Sequence, residues 1–191
     1  MAFVYGERIR LRAAERADIP MFVRWFSDPE VTEYLLTNIP FGLADEEIWF
    51  EAMIRGPKEE HVLVIEAKME GVESGWTPVG NTSFMDLDAT NRSTEIGIVL
   101  GEKEYWNRGF GTDAMKTMLR HGFENLNLHR IWLRVFAPNL RAIRAYEKAG
   151  YVLEGTYREA QFLHGRYIDV NVMSVLKHEW DKTNPKEGKD K

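Results

Sequence analysis

The 191-residue chain contains no cysteine, which excludes disulfides, thiolate nucleophiles and cysteine-ligated zinc together. No apolar run approaches the ~18–20 residues of a membrane-crossing helix. The opening Met1-Ala2-Phe3-Val4-Tyr5-Gly6-Glu7-Arg8 lacks the basic-then-apolar order of a secretory leader. A cytoplasmic protein with no membrane partner is expected. Positive charge is in short supply too: 25 Lys+Arg against 30 Asp+Glu leaves −5. Phosphate backbones require a basic face, so no nucleic-acid partner is expected. There is no internal repeat and no linker rich in Pro, Gly or Ser.

What is present is globular, with 44% hydrophobic and 29% charged residues. The length suits one domain, placed at residues 1–180. Asp181 to Lys191 holds four lysines, three acids, a proline and a glycine but nothing apolar, and reads as a disordered tail.

Two periods run through the body. Arg8 to Arg12 alternates as a strand with one wet face. Ala17–Trp25 and Leu43–Ile54 read as helices, the second with an apolar face of Ile48, Trp49, Ala52 and Met53. His61–Ala67 and Val79–Leu87 read as strands joined by a Gly-rich turn. Thr94–Leu100 is apolar on both faces and therefore central. A helix follows over Gly111–Glu124, then a buried strand Ile131–Phe136. Asn139–Ala149 is a helix with an Asn cap before it and Gly150 at its stop position. Val152–Leu163 and Arg166–Leu176 form a hairpin across His164-Gly165. The sum is a mixed α/β domain around one sheet.

The chemistry concentrates in two stretches. In Trp106-Asn107-Arg108-Gly109-Phe110-Gly111-Thr112, two glycines stand where a strand feeds a helix. A helix start offers unpaired N–H groups and partial positive charge, so an anion, most simply phosphate, is the natural guest. The other reading is a glycine-shaped tight turn. Gly109 to Ala114 also fits G-x-G-x-x-A, but the next strand carries no acid for a ribose, so dinucleotide binding fails its own requirement. In the second stretch, Asn139 to Tyr151, residues Ala142, Tyr146 and Ala149 share one helical face. Tyr146 then either reaches a cleft or is a core aromatic with its hydroxyl on a backbone carbonyl.

Several segments together resemble the GCN5-related N-acetyltransferases (GNAT), in particular the ribosomal-protein N-terminal and spermidine N-acetyltransferase branch. They are Glu95-Ile96-Gly97-Ile98-Val99-Leu100, the Trp106–Thr112 loop, Asn139-x-x-Ala142-x-x-x-Tyr146-Glu147-Lys148-x-Gly150-Tyr151, Glu154-Gly155, and the final Met173-Ser174-Val175-Leu176. Arg8-Ile9-Arg10-Leu11-Arg12 with Asp18 belongs to the same pattern, and the resemblance spans about residues 7–178.

It implies a mostly antiparallel, twisted sheet of about seven strands with a splayed centre and about four helices. It implies acetyl-CoA as cosubstrate, without a metal. The pyrophosphate would lie on the amides of Trp106, Asn107, Arg108, Gly109, Phe110, Gly111 and Thr112. The pantetheine would pair with the backbone of Ile98, Val99 and Leu100 and touch Asn139. Tyr146 would stand near the thioester sulfur as general acid. Trp106 departs from the Gln or Arg of many members, and the 100–105 turn is one residue longer than usual.

The acceptor would be a primary amine: a protein N-terminus, a polyamine, an aminoglycoside or an amino sugar. An alkylamine with a pKa near ~10.4 must shed a proton before it attacks. Glu95 is the first candidate for that base, and a structural Glu paired with an Arg is the alternative. Glu154 is the second candidate, while His129 and His164 read as surface or turn residues. Between Asp28 and Glu51 lie seven acids (Asp28, Glu30, Glu33, Asp45, Glu46, Glu47, Glu51) and no Lys or Arg. They form either a cation-attracting rim of the acceptor cleft or a solvated face with acids at a helix start. Tyr34, Phe41, Trp49 and Phe50 stand among them as pocket walls. A non-catalytic acyl-CoA-binding or regulatory module is the alternative to an enzyme, and sheet edges that pair between subunits are consistent with a homodimer.

Overall fold

The computed structural model describes residues 3–35, 42–69 and 75–185. Phe41 and most of the Gly-rich turn before residue 75 lie outside them. The strands are β1 (Val4–Tyr5), β2 (Ile9–Ala13), β3 (Leu63–Lys68), β4 (Trp76–Asp88), β5 (Ser93–Leu100), β6 (Arg130–Phe136), β7 (Val152–Leu163) and β8 (Arg166–Leu176). The helices are α1 (Ile19–Phe26), α2 (Pro29–Thr32), α3 (Leu43–Arg55), α4 (Phe110–Arg120), α5 (Leu140–Ala149) and α6 (Lys177–Thr183). One sheet runs β1-β2-β3-β4-β5-β6-β8-β7. All its pairings are antiparallel except β5 with β6.

The expected class holds, with differences in count. Among the described residues there are eight strands rather than about seven, because the two-residue β1 pairs with β2. The same residues hold six α-helices rather than about four, because α2 is a single turn begun by Asp28 and Pro29 and α6 follows the end of β8. The expected start of the tail, residue 181, falls inside α6, where Trp180 is buried.

Strand alternation sorts the side chains onto two faces. Ile9, Leu11, Ile65, Phe84, Ile96, Ile131, Leu133 and Met173 form the main core with Phe110, Ala114, Met115 and Met118 of α4. On the opposite face Val62 and Val64 pack against Phe22 and Trp25 of α1, with Val99 and Met53 at the margin. The buried Glu66 on that side accepts from Arg10 Nε at 2.6 Å and Arg12 Nε at 2.9 Å, and Arg12 continues to Asp18. That satisfies charges which would otherwise be costly to bury.

The face assigned to α3 from its sequence is corrected. Ile48 is exposed, and the inward residues are Glu46, Phe50 and, half-buried, Met53, at i, i+4 and i+7. Packing against α1 sets the helix rotation, and Phe22 meets Trp49 edge-on at 6.4 Å.

The feature that shapes the site is at the sheet centre. β5 and β6 are matched only at Ser93–Arg130, Thr94–Ile131 and Glu95–Trp132. Beyond Glu95 they diverge, so the β6-side backbone edge of residues 96–100 has no strand partner. Unpaired edges seek new partners.

Candidate active site

The divergence opens a cleft of about 1120 Å³ through the sheet. One wall is the α4–α5 side. Gly109 precedes α4 with φ 87°, a backbone most side chains resist. The first hydrogen bond of the helix runs from Asp113 N to Gly109 O at 3.0 Å, so the amides of Phe110, Gly111 and Thr112 have no intrahelical partner. They carry the positive end of the helix dipole. Asp113 ties this helix start to the β1–β2 turn, accepting from the amides of Glu7, Arg8 and Ile9 at 3.1, 2.7 and 3.1 Å.

Trp106 closes the end of the cleft. Its Nε1 donates to Leu100 O at 2.8 Å, and the Arg141 guanidinium covers its ring at 3.7 Å. The indole thereby links the end of β5 to the start of α5 across the opening. Asn139 caps α5, its Oδ1 accepting from Ala142 N at 3.1 Å, and it lines the cleft. Tyr146 lines it about two helical turns later. Its hydroxyl has no protein hydrogen-bond partner among the described residues, so the backbone-carbonyl alternative does not apply. Its ring lies 6.0 Å from that of Tyr151. Desolvation pushes its phenol up to about 12, partly countered by the Arg141 charge, so the group is protonated at neutral pH.

The other wall belongs to the α1–α3 side. Asn81, Ser83 and Met85 sit opposite Val99, Gly97 and Glu95 across the β4–β5 pair, and all of them line the cleft. Phe26, Tyr34, Asp45, Glu46 and Trp49 roof it, and Arg134 stands on its floor. The Glu95 carboxylate is 5% exposed and accepts from Arg134 Nε at 2.8 Å and Nη2 at 2.9 Å. That is the structural-pair arrangement, although the arginine is half-exposed. Glu46 is 5% exposed as well, but its Oε1 has no partner among the described residues, and burial alone pushes it up to about 7.

Of the residues expected to hold the cofactor, Ile98, Val99, Leu100, Trp106, Asn107, Gly109, Gly111, Thr112, Asn139 and Tyr146 all line this one cleft. Two are corrected. Phe110 is a core side chain, 2% exposed, and offers only its amide. The Arg108 side chain lies off the cleft over the Tyr105 ring at 5.5 Å, while its carbonyl accepts from Arg8 Nη1 at 2.9 Å. Besides Arg134, the cations that line the cleft are Arg141, Arg144 and Lys148, all on α5. Their i, i+3, i+7 spacing on the Asn139–Ala149 helix was the available signal, masked by the interleaved alanines.

Glu154 stands away from the cleft. Ser174 Oγ donates to it at 2.6 Å and Arg130 pairs with it, and together they hold its carboxyl below the usual range, which unsuits it as a base at neutral pH. His129 is exposed and His164 sits in the hairpin turn at φ 49°.

The acidic stretch divides. Asp28 caps α2 and, with Glu30, pairs with Lys103. Glu51 pairs with Arg16, and Asp45 accepts from Gly42 N at 2.8 Å at the start of α3. Cations from outside the stretch thus neutralise much of the rim, and helix-start acids account for more.

Residues 8–152 match the family model for the acetyltransferase (GNAT) domain. The chain belongs to the GNAT acetyltransferases. It is 29% identical over 184 residues to the uncharacterized N-acetyltransferase p20 of Bacillus licheniformis, covering 94% of this chain and 99% of that protein. Spermidine N(1)-acetyltransferase of Vibrio cholerae is 28% identical over 176 residues, covering 92% and 96%. The crystal structure of the V. cholerae spermidine N-acetyltransferase in complex with CoA and spermine superposes with a TM-score of 0.81 at 27% identity, covering 92% of this chain and 99% of that one. The GNAT chain described here is accordingly an enzyme that transfers an acetyl group to an amine. Among its described residues no helix is long and apolar enough to cross a membrane.

Proposed function

We propose that the two walls divide the reaction: acetyl-CoA lies against α4 and α5, and a cationic primary amine enters from the α1–α3 side. The observation that carries this reading is the divergence of β5 from β6 at Glu95, which leaves a free strand edge leading from a helix start to the phenol of Tyr146. The residues fit the cofactor chemically. Three free amides and the dipole at Gly109–Thr112 suit a diphosphate. The unpaired edge at 96–100 suits an amide-bearing arm, and Arg141, Arg144 and Lys148 add positive charge for the phosphates.

When bound, acetyl-CoA supplies the activated acyl group. The chain's part is to aim it and to manage protons. Tyr146 holds its proton at neutral pH and has no competing partner, which suits it to give that proton to a departing thiolate. Glu95 with Arg134 fixes the floor of the acceptor wall, and Asn81 and Ser83 offer polar groups beside it.

The deciding experiment is thiol release from acetyl-CoA with spermidine, an Ala/Ser N-terminal peptide, an aminoglycoside and an amino sugar. Turnover with one of these fixes the acceptor class. Binding of acetyl-CoA without release across the panel would favour a non-catalytic acyl-CoA-binding module instead.

A further inference from the structure

Four buried side-chain polar atoms have no hydrogen-bond partner among the described residues: Glu46 Oε1, His121 Nδ1, Tyr151 Oη and Trp180 Nε1. His121 lies stacked on Phe84 at 6.5 Å, and Tyr151 and Trp180 belong to the main core. Glu46 is different, because it lines the cleft. A carboxylate oxygen buried without a hydrogen bond is costly, and no neighbour among the described residues offsets the cost. Two other charged residues of the same cleft do not offset it. Asp45 is an acid already engaged by Gly42 N, and Arg134 is engaged by Glu95. The missing partner is a cation, and the position of Glu46 on the acceptor wall says where that cation comes from. Trp49, one turn along α3, and Tyr34 stand on the same wall, and aromatic faces favour cations.

We propose that Glu46 is the specificity-determining residue that receives an alkylammonium group of the acceptor, with Trp49 and Tyr34 as its aromatic flank. The inference rests on the reading of this wall as the acceptor side. Glu46 would distinguish a cationic amine from an uncharged isostere, since only the ammonium supplies the N–H donors and charge that its buried oxygen lacks.

The test is calorimetric titration of the CoA complex with spermidine, n-butylamine and 1-butanol, on the unmodified protein and on Glu46→Gln and Glu46→Asp, with KM and kcat measured for any amine that is turned over. The expected result is binding of the amines and not of the alcohol. Glu46→Gln should then weaken amine binding and raise the amine KM by tenfold or more, with acetyl-CoA affinity unchanged, and Glu46→Asp should restore part of the loss. Spermidine binding well above n-butylamine would mean that Glu46 takes a second ammonium, and equal binding that it takes the reacting one. Unchanged amine affinity in Glu46→Gln overturns the proposal. So does failure of the unmodified CoA complex to bind either amine at millimolar concentration, an outcome that leaves the cofactor reading standing. Failure to bind CoA at all would instead strike the cofactor reading.

Discussion

On the α4–α5 wall, what is offered to a ligand is mostly main chain: the amides of Phe110, Gly111 and Thr112 and the open edge of residues 96–100. On the α1–α3 wall it is side chains from four separated segments, represented by Tyr34, Glu46, Asn81 and Glu95. The first kind of recognition needs a helix start, a glycine at positive φ and a strand that loses its neighbour. All three leave a compact mark in the sequence. The second kind needs residues brought together by the rotation of α3 and the β4–β5 register, and no contiguous motif records them. On the proposed division, one wall holds a single cosubstrate, and the other can change its guest by changing a few side chains.

Tyr146 is where the two walls meet, and replacing it tests the division most severely. Tyr146→Phe removes a protonated hydroxyl and no charge. It should lower kcat by about 10²–10³, in the range of general acid catalysis, while the Kd of CoA measured by calorimetry stays the same. A parallel loss of CoA affinity would mean that the phenol binds rather than reacts. Next comes Gly109→Val, which forces a β-branched residue to φ 87°. Strain of about 1–3 kcal/mol should weaken CoA binding by about tenfold to a hundredfold and leave the affinity of the acceptor wall for amines intact.

The acceptor wall has its own signature without any ligand. Burial raises the Glu46 carboxyl from 4.5 to about 7 in the folded chain. Folding therefore loses stability as pH rises from the unfolded value through the folded one, and the loss is complete above about 7. Glu46→Gln should match the unmodified protein near pH 4.5 and exceed its stability by about 1–3 kcal/mol at pH 8, read from urea unfolding at the two pH values. A pH-independent difference would place the carboxyl in contact with water. The smallest effect is expected at Arg141→Ala, which uncovers one face of Trp106. A cation–π contact of about 0.5–1 kcal/mol predicts a two- to fivefold rise in the acetyl-CoA KM with kcat nearly unchanged.

Much of the architecture was legible in the chain because its strands alternate cleanly and its later helices carry caps. The hairpin bounds Val152–Leu163 and Arg166–Leu176 and the α5 start at Asn139 follow directly from that chemistry. The α3 face was not legible, because Ile48 and Trp49 are more apolar than the Glu46 that turns inward. Apolar content is a poor guide where a helix covers a cleft rather than a core. The direction of the Arg108 side chain was not legible for a related reason: its place beside Gly109 fixes its backbone, while the left-handed Asn107 (φ 59°) precedes it and its side chain lies over the Tyr105 ring. Glu95 carried both alternatives in the sequence, and its pairing with Arg134, two residues beyond the last matched β5–β6 pair, could not be read from its own strand.

A crystal structure of the protein with CoA tests the central claim most directly. The account predicts the diphosphate within hydrogen-bonding distance of the amides of Phe110, Gly111 and Thr112, the pantetheine along residues 96–100, and the sulfur beside the Tyr146 hydroxyl. Density for the nucleotide on any other surface, or a thiol pointing away from Tyr146, would contradict it.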